Sequence, residues 1–249
     1  MMILKNARVH LAQFDLTSDL NQVNLNYGAA MQDGTVFLDG TRINKPGLYD
    51  LSFNHAGFVQ YGAGLIDETL FNKIGASASP MSVVPEPGGA SGAIAAADRG
   101  FLSSVVEATY TPGGPVGDLL KFGVTGVGAG YPLVRGLVLE PGVAERTVTG
   151  TGTIVLGVAT SATQYLYGLI HVTSFTAGTL AVIIQSAAAV GFSGPSTRIT
   201  FDTASARTSQ FAVPVAGGAG APYTDTYYRV SYTIAGGGTW KFLVLVGVQ

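Results

Sequence analysis

The sequence predicts a mainly β protein: a β-sandwich domain with one short flanking helix, followed by a second all-β domain of sandwich or jelly-roll type. Apolar and polar residues alternate in many short stretches, as on the strands of half-buried sheets. Gly, Pro and Ser separate these stretches at intervals of about 10–15 residues, a spacing typical of all-β domains. Residues 65–74 form the one stretch with a convincing helical period.

The first strands of the chain are predicted at 4–13, 20–30 and 48–60. In the second and third, apolar residues alternate with Gln, Asn, Asp and Ser; these apolar residues are Val23, Leu25, Tyr27, Leu51 and Phe53. The intervening residues 31–47 are polar and contain Gly and Pro. We predict a long loop there without structure of its own, and such loops usually serve a function. Because a polar loop cannot bury itself, a partner is the expected reason for it.

The helix is predicted over 65–74, where Ile66, Leu70 and Ile74 share one face. Acidic residues occupy its first turn and Gly75 follows its last, which are common helix signals. Such a short helix depends on packing against a sheet. Residues 82–92 are punctuated by Pro and Gly, and we expect them to form an irregular connection. The next strands are predicted near 100–111, 119–127 and 132–140.

Composition shifts to Gly and Thr after residue 143. The sequence therefore predicts a first domain at 1–143, a linker at 144–153 and an all-β second domain at 154–249. Strands of the second domain are predicted at 154–159, 165–175, 179–186, 197–203, 210–215, 226–235 and 239–248.

Charged residues make up only 11% of the chain, against a typical ~25%. Low charge with many Gly residues suggests a surface hidden by other subunits. The net charge is −2, and no basic patch predicts specific nucleic-acid binding. There is no Cys, which excludes disulfides and thiolate chemistry. The first residues lack the apolar core of a signal peptide, and no apolar run reaches membrane-spanning length, so neither feature is expected.

No motif predicts catalysis. His10, His55 and His171 fall in different predicted strands without a second ligand at metal or triad spacing, so we interpret them as satisfied or exposed strand residues. The Gly-rich stretch 126–130 lacks the Lys-Ser/Thr and the helix of a phosphate loop, and a hairpin turn is the better interpretation. We therefore expect no enzyme activity, cofactor or metal.

Aromatic residues cluster near the end of the sequence. Tyr228 and Tyr232 share an alternating face with Val230, which favours a place in the core. The candidates for a stacking platform at the surface are Tyr223, Tyr227 and Trp240.

Several segments resemble the tail tube (major tail) proteins of long-tailed bacteriophages. They are DLTSDL at 15–20, TVFLDGTR at 35–42, KPGLYDLSF at 45–53, ATYTPGGPVGDLL at 108–120 and PLVRGLVL at 132–139. The resemblance covers residues 1–143 well and the remainder loosely. It implies a structural virion protein: six tube domains form a ring, their sheets join around a lumen, and rings stack into the conduit for DNA ejection.

In the family, the loop after the second strand reaches a neighbouring subunit or ring. Carried over to this chain, the resemblance implies a subunit interface at Thr35, Phe37, Asp39, Arg42 and Lys45, with Asp39, Arg42 and Lys45 as candidate intersubunit ion pairs.

The resemblance also implies a place in the virion tail, after assembly in the host cytoplasm, and no membrane partner. The partners would be other copies of the chain and tail proteins such as the tape measure and terminator proteins, while DNA passes through the lumen without specific binding. A mildly acidic lumen, which would repel phosphate, is a further hypothesis.

Two assemblies would satisfy sixfold ring symmetry. Each chain of a hexamer could supply one tube domain, with 154–249 decorating the outside, or a trimer could use both halves as tube domains. The second half lacks a predicted helix and long loop, which favours the hexamer. The alternative function is a carbohydrate- or receptor-binding sandwich of a virion or secreted protein. An outer-membrane barrel is disfavoured by the predicted helix and the absent signal peptide.

Overall fold

The computed structural model describes residues 6–36, 41–62, 65–157, 161, 164–212, 215–216 and 224–249. The fold is mainly β, as predicted, with antiparallel pairing and one short α-helix, α1 (Ile66–Phe71), among the described residues. A single 3-10 turn lies at Ala90–Gly92. The strands are β1 (Ala7–Leu11), β2 (Phe14–Asp15), β3 (Leu20–Asp33), β4 (Asn44–Phe58), β5 (Ser79–Pro85), β6 (Arg99–Gly113), β7 (Lys121–Gly128), β8 (Val134–Pro141), β9 (Gly150–Thr151), β10 (Val155–Leu156), β11 (Tyr165–Phe175), β12 (Thr179–Ala187), β13 (Ser196–Thr200), β14 (Thr208–Phe211), β15 (Val215–Ala216), β16 (Tyr227–Ala235) and β17 (Trp240–Val248).

The chain forms two compact units that are interleaved along the sequence. Unit 1 contains residues 1–18, 79–104 and 134–249, and unit 2 contains residues 19–78 and 105–133. Strand β6 contributes its first part to unit 1 and its second part to unit 2. The predicted division into 1–143 and 154–249 remains a prediction about folding domains, which compactness alone does not test.

Unit 1 contains two sheets. The first has the strand order β14, β11, β17, β8, β6, β5, β1, β2, with β15 also beside β11; the second has the order β10, β16, β12, β13, with β9 beside β16. Strands β11 and β17 are buried along nearly their whole length, which explains their almost continuous apolar sequences. Strand β12 instead alternates between buried and half-buried residues. The sheets enclose a core centred on Trp240, Phe242 and Tyr228.

Unit 2 is a sheet with the order β3, β4, β7, β6, covered on one face by α1. Leu51, Phe53 and Val124 are buried on that face. Phe53 lies over Gly126 of β7, where a Cβ would come within 2.3 Å of the Phe53 ring. Glycine is therefore required for this close approach. The Tyr110 hydroxyl donates a hydrogen bond of 2.7 Å to Asp67, which ties α1 to β6.

The structure corrects three predictions about individual elements. The predicted loop 31–47 is shorter, because Met31 pairs with Pro46 and Asp33 with Asn44, extending the β3–β4 ladder. Residues 79–85 form β5, a strand buried from its first residue, although part of this range was expected to be irregular connection. The helix ends at Phe71, earlier than the predicted residue 74.

The predicted linker 144–153 is held by hydrogen bonds within unit 1. The Arg146 backbone exchanges two hydrogen bonds with Trp240, and β9 pairs with β16. The Arg146 guanidinium also donates to both carboxylate oxygens of Glu140, at 2.8 and 3.1 Å. The Glu140 side chain is only 1% exposed. Because a buried carboxylate without a partner is costly, this ion pair fixes the segment to the sandwich.

We expect Arg146→Met to lower the free energy of unfolding by about 3 kcal/mol, because it leaves the Glu140 carboxylate buried and unpaired. Chemical denaturation measures this loss. The double variant Glu140→Met/Arg146→Met removes both charges and should recover most of the stability. A single variant within about 0.5 kcal/mol of wild type would show that the pair contributes little.

Candidate assembly surface

The second face of the unit 2 sheet is polar and uncharged in its centre. One row across the four strands contains Asn24, Asn54, Thr125 and Thr109, as the strand register shows. The neighbouring rows are Asn26, Ser52, Val127 and Val106, and Gln22, Ala56, Gly123 and Thr111. Most of these side chains are exposed or half-buried. We call these three rows the neutral face.

Strand β3 forms one edge of the unit 2 sheet. It pairs with β4 alone among the described strands, over a length of 14 residues. On the face opposite the neutral face, its residues Val23, Leu25 and Tyr27 are only half-buried. An edge of this length exposes a row of unpaired backbone groups, which free proteins usually protect with charges, bulges or covering elements. Strand β6 forms the other edge of the unit 2 sheet; at Glu107 this edge is occupied by a bridge to Ile74 and a hydrogen bond from Gly75 N, and residues 108–113 continue beyond it.

The far part of the β3–β4 hairpin exposes large apolar side chains. They are Met31, Val36, Ile43, Leu48 and Tyr49, and Leu48 is 87% exposed. Tyr49 stacks on Tyr27 with ring centroids 5.4 Å apart. Apolar side chains grouped in this way on a surface indicate an interaction site more often than scattered ones do. We call this group the hairpin patch.

The hairpin connection is organised by Asp33. Its carboxylate accepts hydrogen bonds from the Thr35 backbone and hydroxyl, at 3.0 and 2.6 Å, and from Arg42 at 3.1 Å. Hydrogen bonds from Thr35, more than that from Arg42, lower the pKa of Asp33. The structure thus places Thr35, Arg42 and Lys45 together on the exposed hairpin, but Arg42 pairs within its own chain. Phe37 and Asp39 lie outside the described residues, so their predicted interface role stays a prediction.

A second exposed apolar group surrounds α1. It comprises Tyr61, Leu65, Phe71 and Ile74, and Phe71 is 64% exposed. The helical period had assigned Ile74 to the buried face, yet the helix ends before it and Ile74 is 38% exposed. Unit 2 therefore presents apolar side chains on its helix side as well as on its hairpin.

Two titratable groups are buried in unit 2. His55 is 1% exposed, and both its ring nitrogens lack a hydrogen-bond partner among the described residues. Burial lowers the pKa of His55 to about 4. Glu107 is fully buried, neither carboxylate oxygen has a hydrogen-bond partner in the part of the chain that the structure describes, and burial raises its pKa. The expectation of a satisfied or exposed strand histidine was therefore wrong for His55.

The other two histidines meet in unit 1. His10 and His171 stack with ring centroids 5.4 Å apart, although 161 residues separate them in sequence. The His171 ring also bonds Ser82 Oγ at 3.0 Å and the Ala12 carbonyl. Burial lowers the pKa of both histidines. Because the group is buried away from solvent, we interpret it as structural.

Of the three predicted platform residues, Trp240 lies in the core. Trp240 is 0% exposed and packs on Phe175, because strand β17 directs it into the core of unit 1. Tyr228 and Tyr232 are buried, as predicted from the alternation. Tyr227 is half-buried, and Tyr223 lies outside the described residues. The stacking role of Trp240 at the surface was therefore wrong.

The described residues contain no group of three or more His, Asp or Glu side chains that could hold a metal ion. In the part of the chain that the structure describes, no helix is long and apolar enough to cross a membrane.

No protein-family model matches the chain, and no curated protein matches it. Among solved structures, it is similar to a chain of the virion of a native gene transfer agent particle, with 12% identity, a TM-score of 0.39, and coverage of 53% of this chain and 98% of that one.

The Dit protein of phage SPP1, described as a hub adsorption apparatus in phages that infect Gram-positive hosts, has 11% identity and a TM-score of 0.39 over 98% of this chain and 100% of its own. A chain of the PVC sheath–tube complex, an extracellular contractile injection system, has 12% identity and a TM-score of 0.38 over 54% and 90%.

Acid should destabilise the protein partly through His55. The unfolded chain takes up a proton near the ordinary pKa of 6.5, whereas the folded pKa is about 4. Stability is therefore lost as the pH falls from 6.5 to about 4, by about 3 kcal/mol from this group. His55→Leu should keep its stability at pH 7 and lose less of it at pH 4, as measured by urea unfolding at both values. An unchanged pH dependence would exclude this role.

Proposed function

We propose that this chain is a structural subunit of a phage tail, a tail tube protein whose copies form stacked rings around the DNA-ejection conduit. Unit 2 would form the wall of the conduit. The proposal assigns the chain no catalysis and no cofactor. It is supported by the sequence segments that resemble tail tube proteins and by the surfaces of unit 2.

The observation that carries the proposal is the open edge of β3. Its 14 residues pair on one side only among the described strands. If β3 of one copy pairs with residues 108–113 of the next, each copy uses two different edges. Such head-to-tail contacts generate a ring when the rotation between copies closes. The edges would then be satisfied by neighbours, which agrees with a chain of low charge content.

The neutral face suits the inner wall of a DNA conduit. Its central rows contain no Lys or Arg side chain that could hold a phosphate. They also contain no aromatic side chain on which bases could stack. A wall without cations would bind the charged DNA backbone only weakly. The lumen would thus be neutral along these rows, in place of the mildly acidic lumen that the sequence suggested.

The hairpin patch suits contact with an adjacent subunit or ring. Leu48 and Tyr49 are large, apolar and exposed on a two-stranded extension that the sheet itself does not cover. Aromatic and apolar anchors of this kind dominate the binding energy of many protein interfaces. Thr35, Arg42 and Lys45 would form the polar rim of the same contact.

The architecture favours six chains per ring over three. Among the described residues, unit 2 alone combines a long hairpin with a flanking α-helix. If a ring requires six such units, each chain supplies one. Tape measure and terminator proteins would be further partners within the tail, and assembly would occur in the host cytoplasm.

Electron microscopy of the purified protein, with its mass measured in solution, tests the proposal. Rings with a central hole and six copies would support the hexamer, and rings of three would support the trimer. A chain that stays monomeric at all concentrations and never forms rings or tubes would contradict the proposal.

Charge on the β3 edge should prevent ring formation. We expect Val23→Lys/Leu25→Lys to yield monomers, because the half-buried side chains that a neighbour would cover become cationic. Mass photometry measures the change. Gln22→Lys/Asn24→Lys, on the neutral face of the same strand, is the matched control and should still form rings. Rings of normal size from the first variant would exclude β3 as the subunit edge.

Substitutions in the hairpin patch should weaken assembly without affecting the fold. We expect Leu48→Asp/Tyr49→Asp to raise the concentration needed for rings or tubes by tenfold or more, since about 1.4 kcal/mol of lost contact energy suffices. Light scattering against concentration measures the threshold. Asn54→Asp, on the neutral face, controls for added charge. An unchanged threshold would exclude the patch from the interface.

A further inference from the structure

A cavity of about 390 Å³ lies between the two sheets of unit 1. Strands β6, β8, β11 and β17 supply one side, and β10 and β16 supply the other. The wall is mainly apolar and includes Leu137, Leu166, Val246 and Val248. A cavity of this size and character is typical of sites for small ligands.

Two arginines line this apolar cavity. In the register of β6 and β8, Arg99 lies opposite Leu137, and Phe101 lies opposite Arg135. Arg99 and Arg135 are therefore diagonal neighbours on one face, with about 7–8 Å between their Cα atoms. That face is the one turned to the core, because Leu137 packs against the core cluster. Arg99 and Arg135 are themselves exposed, so the two guanidinium groups lie at the open mouth of the cavity.

Neither arginine has a hydrogen bond or a carboxylate partner among the described residues. The other arginines of unit 1 do have polar partners there: Arg8, Arg146, Arg198, Arg207 and Arg229. An anion bound at the mouth of the cavity would be attracted by both positive charges. Gln164 also lines the cavity; its side-chain oxygen accepts a hydrogen bond from the Ser161 backbone, and its amide NH₂ is a further hydrogen-bond donor.

We infer that this cavity binds a small organic anion, a molecule of about one ring that carries a carboxylate or a phosphate group. The anionic group would bind Arg99 and Arg135, since planar guanidinium groups match the geometry of carboxylate and phosphate oxygens. The ring of the ligand would contact Leu166, Val246 and Val248. The volume suits a single ring and not a polymer segment. This inference is independent of ring assembly.

Isothermal titration calorimetry with defined probes tests the inference. Phenyl phosphate and benzoate represent anions on an apolar ring, glucose 6-phosphate and glucuronate represent anions on a sugar ring, and phenol and glucose are the neutral counterparts. At least one anion should bind at millimolar concentration or below, and its neutral counterpart should bind at least about tenfold more weakly. Comparison of the phenyl anions with the sugar anions shows whether the cavity accepts an aromatic ring or a sugar ring. If no anion binds, the inference is wrong.

Variants locate the binding. Arg99→Gln and Arg135→Gln should each weaken anion binding by about tenfold. Lys241→Gln removes one positive charge of unit 1 outside the cavity and should leave binding unchanged. Leu156→Trp, at a lining residue that is 64% exposed, should obstruct the cavity without disturbing the core. Equal weakening by Lys241→Gln, or full binding in both arginine variants, would place the anion elsewhere and overturn the inference.

Discussion

The unpaired backbone of β3 is the constraint on which the rest of unit 2 depends. A strand of 14 residues with one open side leaves a row of peptide groups that require water or a partner. Few charges lie along this strand to keep another strand away. The half-buried Val23, Leu25 and Tyr27 continue the apolar layer to the very edge. In the proposed ring, another copy would continue this sheet and pair these backbone groups.

Local patterns predicted much of the fold. The bounds of β11 agree with the predicted 165–175, and the alternation in β3, β4 and β16 assigned the correct faces. Strand β5 was not predicted. It is buried throughout and contains two prolines, so it shows neither the alternation nor the composition expected of a strand. The β3–β4 ladder extended further than predicted because backbone pairing tolerates the polar and Gly-containing residues beyond Ala29.

Features formed by distant residues could not be predicted. His10 stacks on His171, and Arg99 lies diagonally opposite Arg135, only because of how distant segments of the chain are arranged in the sheet. The interleaving of the two units has the same origin, because β8 pairs with β17 more than 100 residues later. Trp240 shows a different limit of the sequence. The alternation around it predicts which residues share its face of the strand, but only packing against the second sheet makes that face the interior. For the assembly surface, the sequence showed the resemblance to tail tube proteins and the two strands of the hairpin. The open edge of β3 and the neutral face could be recognised only from the strand register.

The interleaved path of the chain has a mechanical consequence. The backbone passes between the units at four places, near residues 18, 78, 104 and 133. A force on unit 2 is therefore transmitted to unit 1 through four covalent connections, one of which is the continuous strand β6. A single flexible linker would instead concentrate that force in one segment and let the second unit swing freely. In the proposed tail tube, a pull on unit 2 would thus be shared among four peptide connections.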